Sequence, residues 1–337
     1  MKKKHLNLAL QGGGAHGAFT WGVLDRLLRE KDLEIVGVSG TSAGAVNGAC
    51  LVYGLTQGGN ETAREVLCEF WRKNSESQQY SLLQPTIWDK MASKGNIQYN
   101  PFFQTFSMVS KYLSPYQWNP LMKNPLKELL LDVVDFEAIQ KQQRHKLFLT
   151  ATNIRTSKVK IFQNPEITAE AVCASACLPH MFQAVEIDGE FYWDGGYIGN
   201  PAMFPLFENT HCTDLMLIQI DSIDYNKAPT QISDILDRAT DISFNSSLMR
   251  EMRAICFVTK IIEKGFDDDG RLIKTNIHYI STGDLMNHYN GSSKLNVDWE
   301  WLSFLRDHGR SKAEAWIGEN YKKIGRESSC DINCIFL

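Results

Sequence analysis

The chain has 337 residues, of which 43% are hydrophobic and 22% are charged, and its formal net charge is −4. These values are ordinary for a globular protein with a buried core, and they exclude a disordered chain. The small negative charge gives no general argument for binding nucleic acid. No apolar run approaches the roughly 20 residues that a membrane-spanning helix needs.

The first 55 residues alternate between predicted strands and predicted helices. Strands are predicted over residues 6–10 and 34–38, and each is followed by a glycine-rich turn. Helices are predicted over residues 18–29 and 45–55; in the first, apolar residues recur with the helical period. This alternation is typical of parallel strands that are joined by crossover helices.

Residues from about 75 to 130 differ in composition from the rest of the chain. They are rich in proline and carry seven aromatic residues between Tyr99 and Trp118. We predict a helical insertion here, and two interpretations of its aromatic residues remain open. They are either part of a buried core or the surface of a lid or lipid-facing cap.

The second half of the chain again predicts an α/β arrangement. Strands are predicted over 146–154, 159–162, 215–221 and 277–280, with a hairpin over 185–196. Helices are predicted over 169–177, 232–262 and 299–324. The simplest interpretation is a single α/β domain over residues 1–325 with a mostly parallel sheet and one helical insertion, followed by a tail over residues 326–337.

A Gly-x-Ser-x-Gly pattern follows the second predicted strand and opens a helix of small residues. A sharp strand-to-helix turn needs glycine on both sides of the serine, here Gly40 and Gly44, because a side chain does not fit there. Such a turn exposes the hydroxyl of Ser42 at a helix N-terminus, where partial positive charge favours an alkoxide-like nucleophile. We therefore interpret Ser42 as a candidate nucleophile.

A glycine-rich loop, residues 12–17, follows the first predicted strand and also opens a helix. The amides of Gly12, Gly13 and Gly14 could converge on one anionic oxygen, either of a phosphate or of an acyl-transfer intermediate. The same string fits the dinucleotide fingerprint, which expects an acidic residue at the end of the second strand. Here Glu34 lies at the start of that strand, so this alternative is disfavoured.

Asp194 lies in a glycine turn after a predicted strand. Alone, such a residue is more often a turn cap. Paired with the serine turn and the glycine loop, a partly desolvated carboxylate becomes a candidate general base. The histidines at positions 180, 211, 278, 288 and 308 are alternative bases, although none lies in a convincing motif.

Taken together, these motifs resemble those of the patatin-like phospholipases, a family of Ser–Asp dyad lipid acyl hydrolases. The resemblance extends over roughly residues 5–221 and includes the segments 174–179 and 200–201. It implies a three-layer α/β/α fold, Ser42 as nucleophile, Asp194 as base and the 12–14 amides as oxyanion hole. It implies no metal or other cofactor.

The substrate expected from this resemblance is a phospholipid or lysophospholipid at a membrane surface; neither the head group nor a need for an activating partner protein can be read from the sequence. A thioesterase or acyltransferase that uses the same Ser42 remains open, as does a non-catalytic lipid-binding or dinucleotide-binding module. The family usually has Arg or Lys where this chain has His16. We expect activity to survive, with oxyanion stabilisation that differs or depends on pH.

The eight cysteines include no CxxC pair, which indicates neither a disulfide scaffold nor a zinc site, but a reducing compartment. The last four residues, from Cys334 to Leu337, fit a C-a-a-X pattern, and Cys330 could take a second acyl chain. We therefore predict a cytoplasmic, peripherally membrane-associated protein that is prenylated at Cys334. The alternative is an apolar tail that packs. A bacterial protein with this tail would have to be lipidated inside a host cell.

Overall fold

The computed structural model describes residues 3–77, 83–93, 95–110, 112–120, 124–225, 228–266 and 272–337. Its centre is a mixed, mostly parallel sheet with the strand order β5-β6-β3-β2-β1-β7-β8, and β4 pairs with β3 beside this path. The strands are β1 (Lys4–Leu10), β2 (Leu33–Gly40), β3 (Lys146–Asn153), β4 (Val159–Gln163), β5 (Val185–Ile187), β6 (Glu190–Asp194), β7 (Asp214–Gln219) and β8 (Asn276–Ser281).

The parallel half of the sheet arises from the crossover units that the sequence predicts. Strand β1 pairs in parallel with β2 and β7, β2 with β3, and β7 with β8. The pairings of β3 with β4 and β6, and of β5 with β6, are antiparallel. The hairpin between β5 and β6 turns at Gly189, which has a φ of 77° that glycine adopts without steric cost.

Helices cover both faces of the sheet. They are α1 (Gly17–Leu27), α2 (Ala43–Gly58), α3 (Asn60–Ser77), α4 (Ile87–Ala92), α5 (Pro101–Val109), α6 (Pro115–Trp118), α7 (Pro125–Val133), α8 (Phe136–Lys141), α9 (Ala169–Ser175), α10 (Phe204–Asn209), α11 (Ile232–Glu263), α12 (Trp299–Asn320) and α13 (Ile332–Phe336). In the described part of the chain, no helix combines the length and apolar character that crossing a bilayer requires.

Alternate side chains of the strands enter two different cores. Leu6, Leu8 and Leu10 of β1 pack with α1, α2 and α12, whereas Ala9 packs with α10, α11 and Phe336 on the other face. This is the period-two alternation of a sheet buried on both sides. The predicted three-layer α/β/α architecture is confirmed.

The helical insertion leaves many of its apolar side chains in solvent. Trp88 is 72% exposed and Tyr112 is 84% exposed, and Ile87, Met91 and Phe102 are also exposed. An edge-to-face contact joins Phe106 to Trp118, and Trp118 is half-buried. The interpretation of the aromatic residues as one buried core is therefore wrong for most of the described segment.

Several segments differ from the sequence-based boundaries, and α8 and α10 also lie where no element was predicted. Residues 60–74 carry no predicted element, yet α3 lies there and packs against the core through Ala63, Leu67 and Trp71. The tail that begins at residue 326 forms the short helix α13, and Phe336 is buried against Tyr279 of β8.

Candidate active site

Two strand ends meet on β3. Strand β2 runs parallel to β3 and its last residue, Gly40, pairs with Leu149. Strand β6 runs antiparallel to β3 and its last residue, Asp194, pairs with Ala151. Leu149 and Ala151 are two residues apart, a distance of about 7 Å along a strand. The topology thus brings the serine turn and the aspartate turn to one place.

The serine turn holds Ser42 in a rare backbone conformation at the N-terminus of α2. Its φ is 55° and its ψ is −122°, a region that non-glycine residues seldom occupy and that stores on the order of 1–3 kcal/mol of strain. The Ser42 amide donates to the Ser175 hydroxyl over 3.0 Å, which helps to hold the turn.

Close backbone approaches explain the glycines on both sides of Ser42. A Cβ on Gly40 would lie 2.4 Å from the carbonyl oxygen of Gly44. A Cβ on Gly44 would lie 2.1 Å from the carbonyl oxygen of Leu10. Both distances are far shorter than a van der Waals contact. The turn and its packing against β1 therefore require glycine at both positions.

Asp194 is fully buried, and its carboxyl group interacts with the Ser42 side chain. One carboxylate oxygen, Oδ1, accepts a hydrogen bond of 2.7 Å from the Gly196 amide. Among the described residues, no donor meets hydrogen-bond geometry to Oδ2. Burial raises the pKa of Asp194 to about 7, although the Gly196 amide, the nearby Ser42 hydroxyl and the charge of Lys294 each favour the ionised form. A carboxylate of this basicity can accept a hydroxyl proton near neutral pH.

The glycine-rich loop faces Ser42, but its three amides are not equivalent. A Cβ on Gly12 would lie 2.7 Å from the Ser42 Cβ, so the loop passes directly over the serine. The Gly12 amide already donates to Asn200 Oδ1 over 2.8 Å. Within the described residues, the amides of Gly13 and Gly14 donate to no protein group. Because the Gly12 amide is already engaged, the oxyanion-hole hypothesis now includes only the amides of Gly13 and Gly14.

His16 is buried, and it does not supply a positive charge to the glycine-rich loop. Its Nε2 is 2.8 Å from the Ser293 hydroxyl, and burial together with the charge of Lys294 lowers its pKa to about 3. The ring is therefore neutral throughout the physiological range, and the pH dependence that we expected from its titration has no basis.

Lys294 supplies the positive charge near the loop. Its carbonyl oxygen would lie 2.5 Å from a Cβ on Gly14, and the same residue lines a cavity with Ser42. Burial opposes its charge, but Asp221 and Asp241 more than offset this and raise the pKa of Lys294 above its usual value.

Ser42 opens onto a mainly apolar cavity of about 270 Å³. Helices α2 and α3, the insertion and the segment after α9 all contribute to its wall. Its lining includes Val46, Trp71, Leu126, Leu178, Phe182 and Val297. A cavity of this composition suits an aliphatic chain better than a polar ligand.

The alternative bases lie elsewhere. His278 Nε2 pairs with Asp214 Oδ1 over 2.9 Å at the start of β7, and His308 Nε2 contacts the Thr282 carbonyl oxygen over 3.0 Å. None of the five histidines considered as bases lines the cavity of Ser42. In the part of the chain that the structure describes, no group of His, Cys, Asp and Glu side chains could hold a metal ion.

The two cysteines predicted to carry lipid differ in environment. Cys334 is exposed on α13, whereas Cys330 is half-buried with its Sγ 3.6 Å from the Ile277 carbonyl oxygen. Burial raises the pKa of the Cys330 thiol to about 11, which makes it a poor nucleophile. Because Phe336 is buried, the tail packs on the domain. Lipid attachment at either cysteine stays a prediction.

Sequence reasoning gave no role to Asn200, Ser175 or Lys294. Asn200 and Ser175 lie inside segments that carry the resemblance, and a polar side chain next to a motif was the available signal. Lys294 is far from every motif along the chain. Only the three-dimensional fold brings it to the loop.

A family model described as Patatin-like phospholipase matches residues 8–206. No curated protein matches the sequence. Two solved structures are similar to this chain, and each superposition covers 94% of its residues. VipD from Legionella pneumophila has a TM-score of 0.42, 14% identity and 67% of its chain covered. The type III effector ExoU has a TM-score of 0.34, 13% identity and 53% of its chain covered. Because the family model covers more than half of the chain, the protein belongs to the patatin-like phospholipase family.

Proposed function

We propose that this protein is a serine lipid acyl hydrolase that cleaves fatty-acyl esters of membrane phospholipids or lysophospholipids. The nucleophile is Ser42 and the general base is Asp194. The observation that carries the proposal is one arrangement: Ser42 lies on a strained turn beside a buried carboxylate and opens onto an apolar cavity.

In the first step, Ser42 Oγ attacks the ester carbonyl carbon while Asp194 takes the hydroxyl proton. The carbonyl oxygen becomes an oxyanion, and the amides of Gly13 and Gly14 stabilise it. The bond from the carbonyl carbon to the alcohol oxygen then breaks. The proton held by Asp194 goes to the leaving alcohol, and the acyl group remains as an ester of Ser42.

In the second step, water replaces the alcohol. The water oxygen attacks the acyl carbon while Asp194 takes one proton from the water. The amides of Gly13 and Gly14 stabilise the second oxyanion. Breakdown of this intermediate returns the proton to Ser42 Oγ and releases the fatty acid. The burial that makes Asp194 basic enough for both steps is a feature of the folded protein alone.

We assign the exposed apolar side chains of the insertion to contact with the lipid surface. Helices α4 and α5 present Ile87, Trp88, Met91 and Phe102 to solvent. The insertion also reaches the catalytic cavity, since Gln84 contributes to its lining. Apolar side chains that stay exposed next to a lipid-sized cavity fit an enzyme that takes its substrate from a membrane.

Fatty-acid release from phospholipid vesicles tests this function. We expect wild-type protein to release fatty acids and to be labelled at Ser42 by a fluorophosphonate, and we expect Ser42→Ala to lose both properties. Ser157→Ala is a matched control, because Ser157 also has a positive φ, 56°, and lies outside the cavity. Normal turnover by folded Ser42→Ala would remove Ser42 from the mechanism.

An acyl-enzyme also allows transfer to an acceptor other than water. Adding an alcohol or a thiol acceptor to the same assay, and identifying the products, separates a hydrolase from an acyltransferase. We expect free fatty acid as the main product. A main product of acylated acceptor would reassign the activity while leaving the roles of Ser42 and Asp194 in place.

A further inference from the structure

A second cavity, of about 450 Å³, lies next to the apolar one and differs from it in chemistry. Four residues belong to both linings and so form the boundary between the two spaces: Leu178, Met181, Lys294 and Leu295. The carbonyl oxygen of Lys294 would lie 2.5 Å from a Cβ on Gly14, so this boundary is next to the loop that faces Ser42.

Carboxylates dominate the charged lining of the second cavity. Three of them recur every three or four residues along α11 and so share one face of that helix. The acidic residues are Asp221, Asp234, Asp237 and Asp241, and the basic residues are Arg238 and Lys294. Four carboxylates against two cations leave this lining with a formal excess of two negative charges.

The two cations are held by protein groups. Lys294 Nζ lies 3.0 Å from Asp221 Oδ1 and 2.9 Å from Asp241 Oδ1. The guanidinium of Arg238 donates to backbone carbonyl oxygens and lies 5.3 Å from the ring centroid of Tyr225. Each cation is thus fixed in place, and Lys294 is shared between Asp221 and Asp241.

Polar atoms in this lining lack protein partners. Asp237 accepts a hydrogen bond from the Gly291 amide, but no cation lies within 4 Å of it in the described part of the chain. Asp221 is 4% exposed and His16 is 2% exposed, yet Asp221 Oδ2 and His16 Nδ1 have no partner among the described residues. The same holds for Asn287 Nδ2. Buried polar atoms without partners are costly, and a bound cation would offset that cost at the carboxylate oxygen of Asp221.

Aromatic rings complete the lining. Tyr225 and Tyr289 both contribute to it. The faces of tyrosine rings attract cations, most strongly where water is excluded, and aromatic walls with nearby carboxylates are a recognised way to hold a quaternary ammonium group. An anionic group would instead meet like charge and lose its hydration.

We propose that this cavity binds the cationic amine of a zwitterionic phospholipid head group, choline or ethanolamine, while the acyl ester lies at Ser42. The proposal rests on the proposed function and extends it to the choice of substrate. It assigns Asp237 and Asp241 as residues that determine head-group preference, and it predicts discrimination against lipids whose head group carries only negative charge.

Short-chain lipids below their critical micelle concentration test this preference without a membrane surface. The probes are dihexanoyl-phosphatidylcholine and dihexanoyl-phosphatidylglycerol, each rate divided by the rate on a p-nitrophenyl ester that has no head group. We expect wild-type protein to prefer the choline lipid by about tenfold or more in kcat/KM, the scale of one charge-assisted contact. Asp237→Asn and Asp241→Asn should each remove most of this preference.

Asp188→Asn is the matched control, because it makes the same chemical change at an exposed position outside both cavities. It should leave the preference unchanged. A second measurement uses wild-type protein alone and so does not depend on how the variants fold. Phosphocholine should inhibit hydrolysis of the p-nitrophenyl ester, and glycerol phosphate should not.

The outcomes separate this proposal from the proposed function. No hydrolysis of any ester would overturn the proposed function. Hydrolysis with equal rates on the two lipids, and no selective inhibition by phosphocholine, would overturn the head-group assignment alone. Preference that survives both Asp237→Asn and Asp241→Asn would place the recognition elsewhere in the molecule.

Discussion

The serine turn and the helical insertion lie next to the same cavity, yet they are built in opposite ways. Around Ser42, backbone atoms approach so closely that a single methyl group on Gly40 or Gly44 would overlap a carbonyl oxygen. In the insertion, large side chains such as Trp88 and Tyr112 extend into solvent. The serine turn has almost no space for a larger side chain. In the insertion, the exposed side chains make few contacts that a substitution would remove.

This difference separates the two tasks that a lipid hydrolase must perform. Chemistry needs reacting groups held within fractions of an ångström, which dense packing provides. Contact with a lipid surface needs exposed apolar area, whose exact arrangement matters less. Substitutions in the two regions should therefore affect different measurements.

The largest effect is expected from Gly44→Ala. The new methyl group would lie 2.1 Å from the Leu10 carbonyl oxygen, so β1 and α2 would have to separate. We expect loss of measurable hydrolysis and a fall in the free energy of unfolding of about 3 kcal/mol or more, measured by denaturant titration. Gly318→Ala on α12 is the control, since a Cβ there meets nothing within 4 Å and should stabilise the helix slightly.

Asp194→Asn should lower kcat by at least about two orders of magnitude, the usual effect of losing a general base. Asparagine keeps an oxygen for the Gly196 amide but cannot take the serine proton. An active Asp194→Asn protein, together with an inactive variant of one of the histidines, would show that the pair of Ser42 and Asp194 is wrong.

The same substitution should change stability with a defined dependence on pH. The pKa of Asp194 is about 7 in the folded protein and near 3.8 when unperturbed, so between these values the folded state binds more protons than the unfolded state. Its contribution to the free energy of unfolding therefore falls as pH rises from about 4 to about 7. Asp194→Asn should melt at a higher temperature than wild type at pH 8, and at a similar temperature at pH 4. A variant that melts lower than wild type at pH 8 would contradict the raised pKa.

A smaller effect is expected on the pH dependence of the wild-type rate. Asp194 must be ionised to act as a base, so kcat/KM should fall by about tenfold per pH unit below pH 7 and level off above it. Measurement on a soluble ester between pH 5 and pH 9 checks this. A profile that stays flat down to pH 5 would mean that the base has an ordinary pKa.

The smallest effect on the chemistry is expected in the insertion. Trp88→Ala should lower hydrolysis of vesicles several-fold, because an exposed ring at a lipid interface is lost, while the rate on a soluble monomeric ester and the stability change little. Leu131→Ala on α7, also exposed, is the control. Equal losses on vesicles and on the soluble ester would indicate a structural role for Trp88.

The sequence allowed prediction of those parts of the site that depend on local backbone demands. Glycines around Ser42 and after Asp194 mark turns whose geometry is decided within a few residues, and the alternation of strands and helices decides which turns come together. The engagement of the Gly12 amide by Asn200 and the position of Lys294 depend on contacts between distant segments. No local pattern encodes such contacts.

The fold likewise combines features that local sequence predicts with features that depend on contacts between distant segments. The strands and long helices were predicted from periodicity, whereas α3 was missed although its buried residues recur with a helical period. The exposed aromatic residues of the insertion could not be distinguished from core residues by composition, because burial is decided by what packs above them.

The hydrogen bond from the Gly12 amide to Asn200 has a further consequence. It ties the strand end that carries the amide donors to the turn that follows the carboxylate, without using any residue of the insertion. In the proposed mechanism, the spacing of Ser42 and Asp194 is thereby independent of the insertion, to which we assign contact with the lipid. If the proposed function is right, mutations in the insertion can change how the protein contacts a bilayer while the arrangement of Ser42 and Asp194 stays the same.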